Sequence, residues 1–283
     1  MPDLPTISIV TPSYQHGPFL EWTLRSVILQ DYPKLEYVVM DGGSTDQTLE
    51  ILARYQSSFK HWESAKDAGH ADAVKRGFEH TSGEIMAFLN SDDVLAPGAL
   101  EFAGQFFAEH PGVDFLYSHR VFISADNTVE SYWILPPHWS WAMRRWDYIP
   151  QETCFWRRSL YDAVGGMDPS FQYFGLDYDL FVRFMARARI HRANRFLGAF
   201  RAHPGSGTVR LGNVQNHPGS IRIRQENGIV LRHWHWIPER ILHDWIVFRS
   251  RRFAESGKTL PGALPGVGYN YDRVWDGKLN AAL

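Results

Sequence analysis

Two adjacent carboxylates, Asp92 and Asp93, follow a short apolar run at residues 85–89. Neighbouring carboxylates at a strand end repel each other unless a cation lies between or beside them. Magnesium and manganese prefer hard oxygen ligands, and a diphosphate would complete their coordination shell. The pair therefore indicates a divalent-metal site. The alternative is a solvated turn that happens to hold two aspartates.

A second polar turn, residues 41–46 (DGGSTD), follows another apolar run. Its glycines free the backbone, and the amides at the start of the following helix favour an anion such as phosphate. Asp41, at the end of the predicted buried strand, can accept a hydrogen bond from a nucleotide base or a ribose. The alternative is a plain strand-to-helix turn with a capping aspartate.

Residues 66–77 form a third charged segment. Asp72 is placed to cap a helix, which leaves Asp67 and Lys75 as the candidates for ligand contact. A charged loop followed by one face of an amphipathic helix explains the same residues without any ligand.

Strand-like and helix-like patterns alternate along the segments that carry these residues. Strands are predicted at residues 7–11, 37–40, 61–63 and 85–89, with helices at residues 20–28, from residue 47 and at residues 72–80. Such alternation predicts an open α/β sheet, in which ligands bind beyond the carboxyl ends of the strands. Asp41, Asp92 and Asp93 all fall at such ends.

The pattern is looser in the second half of the chain. A strand is predicted at residues 114–119, and helices at residues 159–164 and 180–188. Residues 133–146 are rich in Trp and Pro without a clear period, which predicts a loop-rich wall for an acceptor. Trp139, Trp141 and Trp146 could stack against sugar rings there, or pack in an ordinary aromatic core.

The order and spacing of these segments resemble those of family 2 glycosyltransferases of the A fold. The matching segments are residues 8–14 (SIVTPSY), 41–46, 67–77, 90–93 (NSDD), 165–168 (GGMD), 177–180 (DYDL) and 201–206 (RAHPGS). The resemblance implies an α/β fold with an open, mostly parallel sheet flanked by helices, followed by a helical C-terminal appendage. It also implies an inverting, metal-dependent enzyme of the hexosyltransferase type that uses a nucleotide diphosphate sugar.

The resemblance places the nucleotide against residues from several strand ends. Its donor-binding positions correspond to Thr11, Pro12, Tyr14, Asp41, Asp67, Lys75 and Asp92. The first three resemble the loop that holds the base, Asp41 would accept from the base, and Asp92 would lie nearer the ribose. Asp67 and Lys75 fall where the family contacts base, ribose or phosphate, and the sequence does not divide those roles.

The resemblance makes Asp93 the expected metal ligand, with manganese or magnesium as the metal. The acidic run reads Ser-Asp-Asp here, which departs from the family's Asp-x-Asp pattern. His203 lies where some relatives supply a late third ligand or a diphosphate contact, and a simple surface histidine is the alternative. The adjoining residues 204–208 resemble a loop that closes over the donor.

Asp177 occupies the family's position for the catalytic base. An inverting transfer is a single in-line displacement, so the base must lie on the face opposite the leaving diphosphate, away from Asp92 and Asp93. Burial beside the following apolar helix would raise the pKa of Asp177 towards neutrality. Asp179 is the competing candidate, with a role as a helix-start cap as its simpler explanation.

Charge divides the chain into two regions. Of 283 residues with a net charge of -2, residues 1–208 hold 18 Lys/Arg against 25 Asp/Glu, and residues 209–283 hold 11 against 6. We predict a catalytic domain over residues 1–212 and a helical, basic and aromatic extension over residues 213–283. The extension either contacts an anionic membrane surface or packs on the domain or on a second subunit, as in a homodimer. The acidic body has no basic stripe, which argues against nucleic acid as a partner.

The composition of the chain also indicates the compartment in which the protein works. No apolar run reaches the roughly 18 residues that span a bilayer, the N-terminus does not look like a signal peptide, and Cys154 is the single cysteine. We expect a cytoplasmic protein, peripheral at the inner face of the membrane if the extension binds lipid.

A UDP-sugar is the expected donor and a glycan or lipid-linked molecule the acceptor, with Gln151 and Glu152 as acceptor contacts.

The expected process is surface polysaccharide or glycoconjugate synthesis, an association that the family suggests. Two alternatives remain open at this point. One is a catalytically inactive protein that binds sugar nucleotides, and the other is a nucleotidyltransferase, which also uses a metal and carboxylates.

Overall fold

The computed structural model describes residues 3–171, 174–207 and 216–262. Its N-terminal half alternates strands and helices, as the sequence predicts. The elements are β1 (Ile7–Ser13), α1 (Gly17–Ile28), β2 (Leu35–Asp41), α2 (Thr48–Tyr55), β3 (His61–Ser64), α3 (His70–Glu79) and β4 (Ile85–Phe88). These four strands pair in parallel in the order β3-β2-β1-β4. Their carboxyl ends therefore lie along one edge of the sheet.

The second half of the chain completes the sheet with mixed pairing. Its elements are β5 (Val94–Leu95), α4 (Ala99–Glu109), β6 (Phe115–Ile123), β7 (Val129–Trp133), α5 (Ser140–Met143), β8 (Phe155–Arg157), α6 (Arg158–Ala163), α7 (Leu176–Phe184) and β9 (Ile190–Arg201). The sheet continues beyond β4 as β8-β6-β9-β5, and β7 pairs with β6. Only β6 and β9 are parallel in this half, so the expected α/β fold is confirmed while its parallel character is confined mainly to the first half.

The strands read as continuous apolar runs because both faces of the sheet are covered. Ile9 packs in the hydrophobic cluster that contains α1, α2 and α4, and its neighbour Val10 packs in the cluster that contains α3 and α7. This is the period of two expected for a strand buried on both sides. Gly77 lets α3 lie close to β1, because a Cβ there would fall 2.4 Å from Val10 Cγ1.

The helix predicted at residues 180–188 starts four residues earlier, at Leu176. Gly175 precedes it in the left-handed region, with φ of 81°, which a glycine adopts without strain. Asp177 and Asp179 therefore lie inside the first turn of α7 and not before the helix, and Asp179 is not its cap.

Among the described residues, two helices follow the sheet in the C-terminal part, α8 (Pro218–Glu226) and α9 (Trp236–Glu255). Ile223 of α8 and Ile246 of α9 are buried in the larger hydrophobic cluster of the body. The expected helical appendage is thus present, whereas the predicted boundary between residues 212 and 213 lies outside the described residues. Within the described part of the chain, no helix has the length and apolar character to cross a membrane.

Candidate active site

A cavity of about 750 Å³ lies at the carboxyl ends of β1, β2 and β4. Its walls come from both halves of the chain, which explains why widely separated motifs meet. The lining residues with polar side chains include Tyr14, His16, Lys66, Asp67, His70, Asn90, Ser91, Asp92, Arg120, Asp147, Gln151, Asp177 and Ser206. Of the residues predicted to form the site, Pro12, Tyr14, Asp67, Asp92 and Asp177 are brought together here.

The two carboxylates of the acidic pair point to different places. Asp92 lines the cavity, and its Oδ2 lies 3.1 Å from His203 Nε2. Asp93 is 1% exposed, does not line the cavity, and accepts a hydrogen bond of 2.9 Å from the backbone N–H of Arg201 on Oδ1. Asp92 therefore reaches the cavity, whereas Asp93, the expected metal ligand, does not. The physical reason is that the side chain of Asp93 is held at the edge of the sheet where β5 pairs with β9.

The surroundings of the two carboxyl groups shift the pKa values of Asp92 and Asp93 in opposite directions. Burial, reinforced by the charges of Asp92 and Glu152, raises the pKa of Asp93 well above its usual range. Burial acts in the same direction on Asp92, but the hydrogen bond to His203 and the charge of His16 outweigh it and lower the pKa of Asp92. Asp92 is thus the member of the pair held as a carboxylate.

His203 is an internal residue and not a surface histidine. It is 8% exposed and packs on the ring of Phe19 at 4.4 Å between centroids. The N–H of Gly205 donates to its Nδ1 at 3.2 Å, so Nε2 carries the proton and donates to Asp92. Ser206 and Gly207 of the same loop line the cavity, while residues 208–215 lie outside the described residues.

Of the residues predicted to bind the nucleotide, some line the cavity and others lie behind its wall. Tyr14 is 61% exposed, and a Cβ on Gly42 would lie between its ring and Asp67, at 3.4 and 3.1 Å, so these residues form one continuous wall. Thr11 is fully buried outside the cavity, with its Oγ1 2.9 Å from the Tyr37 hydroxyl.

Asp41 is placed as an organiser of its turn. Both carboxylate oxygens accept hydrogen bonds from neighbours, with Oδ1 taken by Ser44 Oγ at 2.5 Å and Oδ2 by Ser64 Oγ at 2.5 Å. The backbone N–H of Ser44 also donates to Oδ2 at 2.8 Å. Asp41 is 2% exposed and does not line the cavity, so it supports the wall from beneath, and its bond to a base stays a prediction.

Lys75 lies outside the cavity. Ala73 of α3 lines the cavity, and a residue two places further along a helix points about 200° away, towards solvent. Lys66, immediately before Asp67, is the lysine that lines the cavity, and its position at a strand end is the signal that could have identified it.

Asp177 faces the cavity from the first turn of α7. Burial raises its pKa, and backbone N–H groups and the charge of Arg120 offset part of that rise. Asp179 is 4% exposed and is held by Arg183, whose Nη2 and Nε lie 2.5 and 2.9 Å from its Oδ2. Arg183 also donates to the carbonyl of Gly166, so this pair anchors the preceding loop and does not face the cavity.

Asp147 is a cavity residue that the sequence did not single out. Its Oδ1 is buried without a hydrogen-bond partner among the described residues, and its carboxyl group faces the same cavity as Asp177. Burial, together with the charge of Asp177, raises the pKa of Asp147 well above its usual range. An acid inside the Trp-rich stretch was the available signal.

Two histidines of the cavity were also missed by the sequence. His16 Nδ1 lies 2.7 Å from Ser91 Oγ, which links the loop after β1 to the loop after β4. Burial lowers the pKa of His70 to about 4, so this imidazole is neutral at physiological pH. His16 follows the end of β1 and His70 begins α3, and ligand-binding residues are often found at such positions.

Of the two residues predicted as acceptor contacts, Gln151 lines the cavity and Glu152 does not. Gln151 lines the cavity and donates from Nε2 to the Phe88 carbonyl at 2.6 Å, leaving its buried Oε1 without a partner among the described residues. Glu152 is buried beneath the wall, where it accepts two hydrogen bonds from Arg120 at 2.8 and 2.7 Å.

The predicted tryptophans lie away from the cavity. Trp139 stacks on Trp141 at 5.0 Å between centroids, and Trp146 is buried against Trp141. None of these three lines the cavity, whereas Trp133 of β7 does. Trp146 thus packs in an aromatic core, whereas Trp139 stacks on Trp141 and stays 45% exposed.

The comparisons with known proteins agree with this architecture. The model of the family described as glycosyl transferase family 2 matches residues 8–165. An uncharacterized glycosyltransferase of Mycobacterium tuberculosis is 37% identical over 94 residues, which are 33% of this chain and 36% of that protein. TarS of Staphylococcus aureus, a poly(ribitol-phosphate) β-N-acetylglucosaminyltransferase, is 32% identical over 108 residues, which are 36% of this chain and 19% of that protein. The chain thus spans about a third or less of the length of these curated relatives.

Two solved structures share the fold. TarS residues 1–349 in complex with UDP-GlcNAc superpose with a TM-score of 0.57 at 20% identity, covering 71% of this chain and 60% of that chain. The mannosyltransferase PcManGT of Pyrobaculum calidifontis, in complex with GDP-Man and Mn²⁺, superposes with a TM-score of 0.60 at 18% identity, covering 100% of this chain and 83% of that chain. At these identities the likeness establishes the fold alone.

Proposed function

The chain belongs to glycosyl transferase family 2, and from that premise we propose that it transfers a sugar from a nucleotide diphosphate to an acceptor hydroxyl. The observation that carries the proposal is that one cavity is lined both by Asp92, paired with His203, and by Asp177. The first group suits a metal-bound diphosphate, and the second suits proton removal from an acceptor.

The proposed reaction is one displacement with inversion at the anomeric carbon. The acceptor oxygen forms a bond to C1 as the bond from C1 to the diphosphate oxygen breaks, and the nucleoside diphosphate leaves with that electron pair. Asp177 takes the proton of the acceptor hydroxyl. The raised pKa of Asp177 supports this role, because a base whose pKa lies closer to the working pH accepts a proton more readily.

The donor set of the cavity fits a magnesium or manganese ion that is shared with the diphosphate. Asp92 and His203 would hold it, and the buried Asn90 Oδ1 has no partner among the described residues. No cluster of three or more His, Cys, Asp or Glu side chains that could hold a metal occurs in the described part of the chain, so phosphate oxygens and water would complete the shell. When bound, the metal supplies neutralisation of the charge that develops on the leaving diphosphate.

His203 would have to release the hydrogen bond that it now donates to Asp92 in order to act as a ligand. A neutral imidazole ligates through a nitrogen that carries no proton, so Nε2 must give up its hydrogen. The ring would then carry that hydrogen on Nδ1, which could no longer accept the bond from Gly205. Asp92 does not face this obstacle, and it is the first ligand in the proposal.

The donor and acceptor are proposed more broadly. TarS and PcManGT are described with UDP-GlcNAc and GDP-Man, which supports a nucleotide diphosphate sugar as the donor class, with a UDP-sugar as the first candidate. Poly(ribitol phosphate) in the name of TarS supports a surface polysaccharide or related glycoconjugate as the acceptor class. We propose that the reaction takes place in the cytoplasm.

Product identity tests the proposed reaction. The full chain is incubated with UDP- and GDP-sugars, with and without manganese, and the released phosphate compounds are resolved by chromatography. Metal-dependent release of nucleoside diphosphate supports sugar transfer, whereas release of pyrophosphate would identify nucleotidyl transfer. Tight binding of a sugar nucleotide in a thermal-shift assay without any turnover on candidate acceptors would favour an inactive binding protein.

A further inference from the structure

One side of α9 exposes a row of large apolar side chains. The row, here called the apolar stripe, consists of Trp234, just before the helix, and of Ile237, Ile241, Trp245 and Phe248, each between 37 and 64% exposed. The steps of three and four residues place these side chains within about one quarter of the helix circumference.

On the opposite side of α9, the second half of the helix packs on the body through a few residues. Ile246 and Ser250 are buried, and Ser250 Oγ accepts a hydrogen bond of 2.9 Å from the backbone N–H of Ile134. Phe253 packs against Tyr132 at 5.1 Å between ring centroids. The orientation of the helix is therefore set by its buried side, and the apolar stripe is held outward.

Arginines flank the second half of the stripe. Residues 245–254 (WIVFRSRRFA) contain three arginines and no acid. Arg249, Arg251 and Arg252 are exposed, and none of them forms an ion pair with a described residue. Arg249 lies 5.4 Å from the Trp245 ring and Arg252 lies 5.8 Å from the Phe248 ring, so the cationic groups border the apolar side chains.

We propose that α9 lies flat on a membrane surface rich in anionic lipid, with the apolar stripe among the acyl chains and these three arginines at the headgroups. Tryptophan and arginine are the side chains that suit this boundary, since each has an apolar body and a polar end. Lys and Arg near such a surface are attracted by its negative potential. This surface is separate from the cavity and does not depend on the proposed sugar transfer.

Charge favours a lipid surface over a second copy of this chain. In a symmetric pair the stripe would face itself, and each copy would bring the same arginine-rich border to the contact. Like charges would then be brought together without acids to compensate them in residues 245–254. An anionic surface compensates the arginines and covers the apolar side chains at once.

The test is sedimentation of the full chain with phosphatidylcholine vesicles, with and without phosphatidylglycerol. Binding is expected only with phosphatidylglycerol, and it should weaken as salt is raised, because the attraction is screened. Ile241→Glu should weaken binding by about tenfold, since it removes a membrane-buried side chain and adds a repelled charge. Leu49→Glu is the matched control, because Leu49 is also an exposed aliphatic residue on a helix, α2, and should bind like the parent.

Three results would overturn the inference. They are a parent chain that stays in the supernatant at low salt, equal binding by the two glutamate variants, or a dimer by light scattering that Ile241→Glu converts to a monomer without any vesicle binding. The Asp177→Asn variant should sediment like the parent. That result separates the membrane inference from the proposed chemistry, because either one can fail alone.

Discussion

The hydrogen bond of 3.1 Å between His203 Nε2 and Asp92 Oδ2 joins residues 111 positions apart in the chain. It ties the loop after β9 to the end of β4. Ser206 and Gly207, which line the cavity, are thereby held next to the carboxylate that we propose as the first metal ligand. A metal bound at Asp92 would therefore lie beside the loop that carries His203.

The different orientations of the acidic pair predict different effects of the same substitution. Asp92→Asn should abolish most of the manganese dependence of nucleoside diphosphate binding, because it removes the carboxylate that reaches the cavity. Asp93→Asn should keep that dependence, because Asp93 contacts the Arg201 backbone away from the cavity. Calorimetric titration of UDP and GDP with and without manganese measures both. If Asp93→Asn is the variant that loses the metal response, the order expected from the family resemblance is correct and the present assignment is wrong.

The buried pair of Arg120 and Glu152 predicts a strong effect on stability. The guanidinium makes two hydrogen bonds to the carboxylate, whose side chain is 1% exposed. Arg120→Met should lower the free energy of unfolding by about 3–5 kcal/mol, because it leaves Glu152 as an uncompensated buried charge. Urea unfolding of this variant is compared with that of the double variant Arg120→Met, Glu152→Gln. The double variant should recover part of the loss, and equal stability of the two would contradict the assigned pairing.

The hydrogen bonds to Glu36 predict that the free energy of unfolding decreases at acid pH. Its carboxylate accepts hydrogen bonds from Ser8 Oγ, Ser82 N and Gly83 N at 2.9, 2.7 and 3.0 Å and pairs with Lys60. Burial alone would raise the pKa of Glu36, but the hydrogen bonds from Lys60, Ser82 and Ser8 outweigh it and lower the pKa from 4.5 to about 2. Because the folded-state pKa is depressed, the stabilisation is complete above about pH 4.5 and is lost as the pH falls from there to about 2.

Glu36→Gln should therefore cost about 1–2 kcal/mol at neutral pH, a figure reduced for solvent screening, and should flatten the acid part of the stability curve. Glu84→Gln is the control, because the Glu84 side chain is 59% exposed and pairs with Arg157 at the surface. Chemical unfolding between pH 3 and 7 measures both variants. Equal losses in the two variants would show that the hydrogen bonds to Glu36 add nothing.

The sequence predicted the parallel half of the sheet because that half is built from local signals. Apolar runs buried on both faces identify β1, β2 and β4, and polar turns follow each of them. β9 was missed because Arg192, Arg195 and Gly198 interrupt its pattern, and its identity as a strand comes from pairing with β6 about 75 residues away.

Site residues divide in the same way. Those in the turns after parallel strands were predicted to lie together because the topology of the sheet brings the turns together. Whether each side chain faces the cavity was harder to predict from the sequence. The orientations of Asp92 and Asp93 depend on β9, and the exposure of Lys75 depends on where α3 starts. Asp147 lies in a stretch without a period, so only the folded chain places it beside Asp177.

The raised pKa of Asp177 predicts the acid limb of the pH-rate profile. Because the base must be ionised to accept a proton, kcat/KM should fall as the pH drops through the pKa of Asp177. Burial places that pKa above the ordinary value, so the midpoint should lie above roughly 3.9. Asp147→Asn should keep the midpoint, since the pKa of Asp147 is raised well above its usual range and an amide resembles its neutral form. A midpoint at the ordinary value for aspartate would contradict the burial of Asp177 in the working enzyme.

The proposed reaction requires Asp177 to remove the proton of the acceptor hydroxyl. The most direct measurement is kcat and donor affinity for three isosteric variants, Asp177→Asn, Asp147→Asn and Asp179→Asn. The first should lower kcat by roughly 10²–10⁴-fold with little change in donor affinity, because general-base catalysis typically contributes that factor. Asp147→Asn should stay close to the parent, and Asp179→Asn should lose stability more than turnover, because it breaks the pair with Arg183. Near-parent turnover in Asp177→Asn, or selective loss of turnover in either of the other two, would contradict the account.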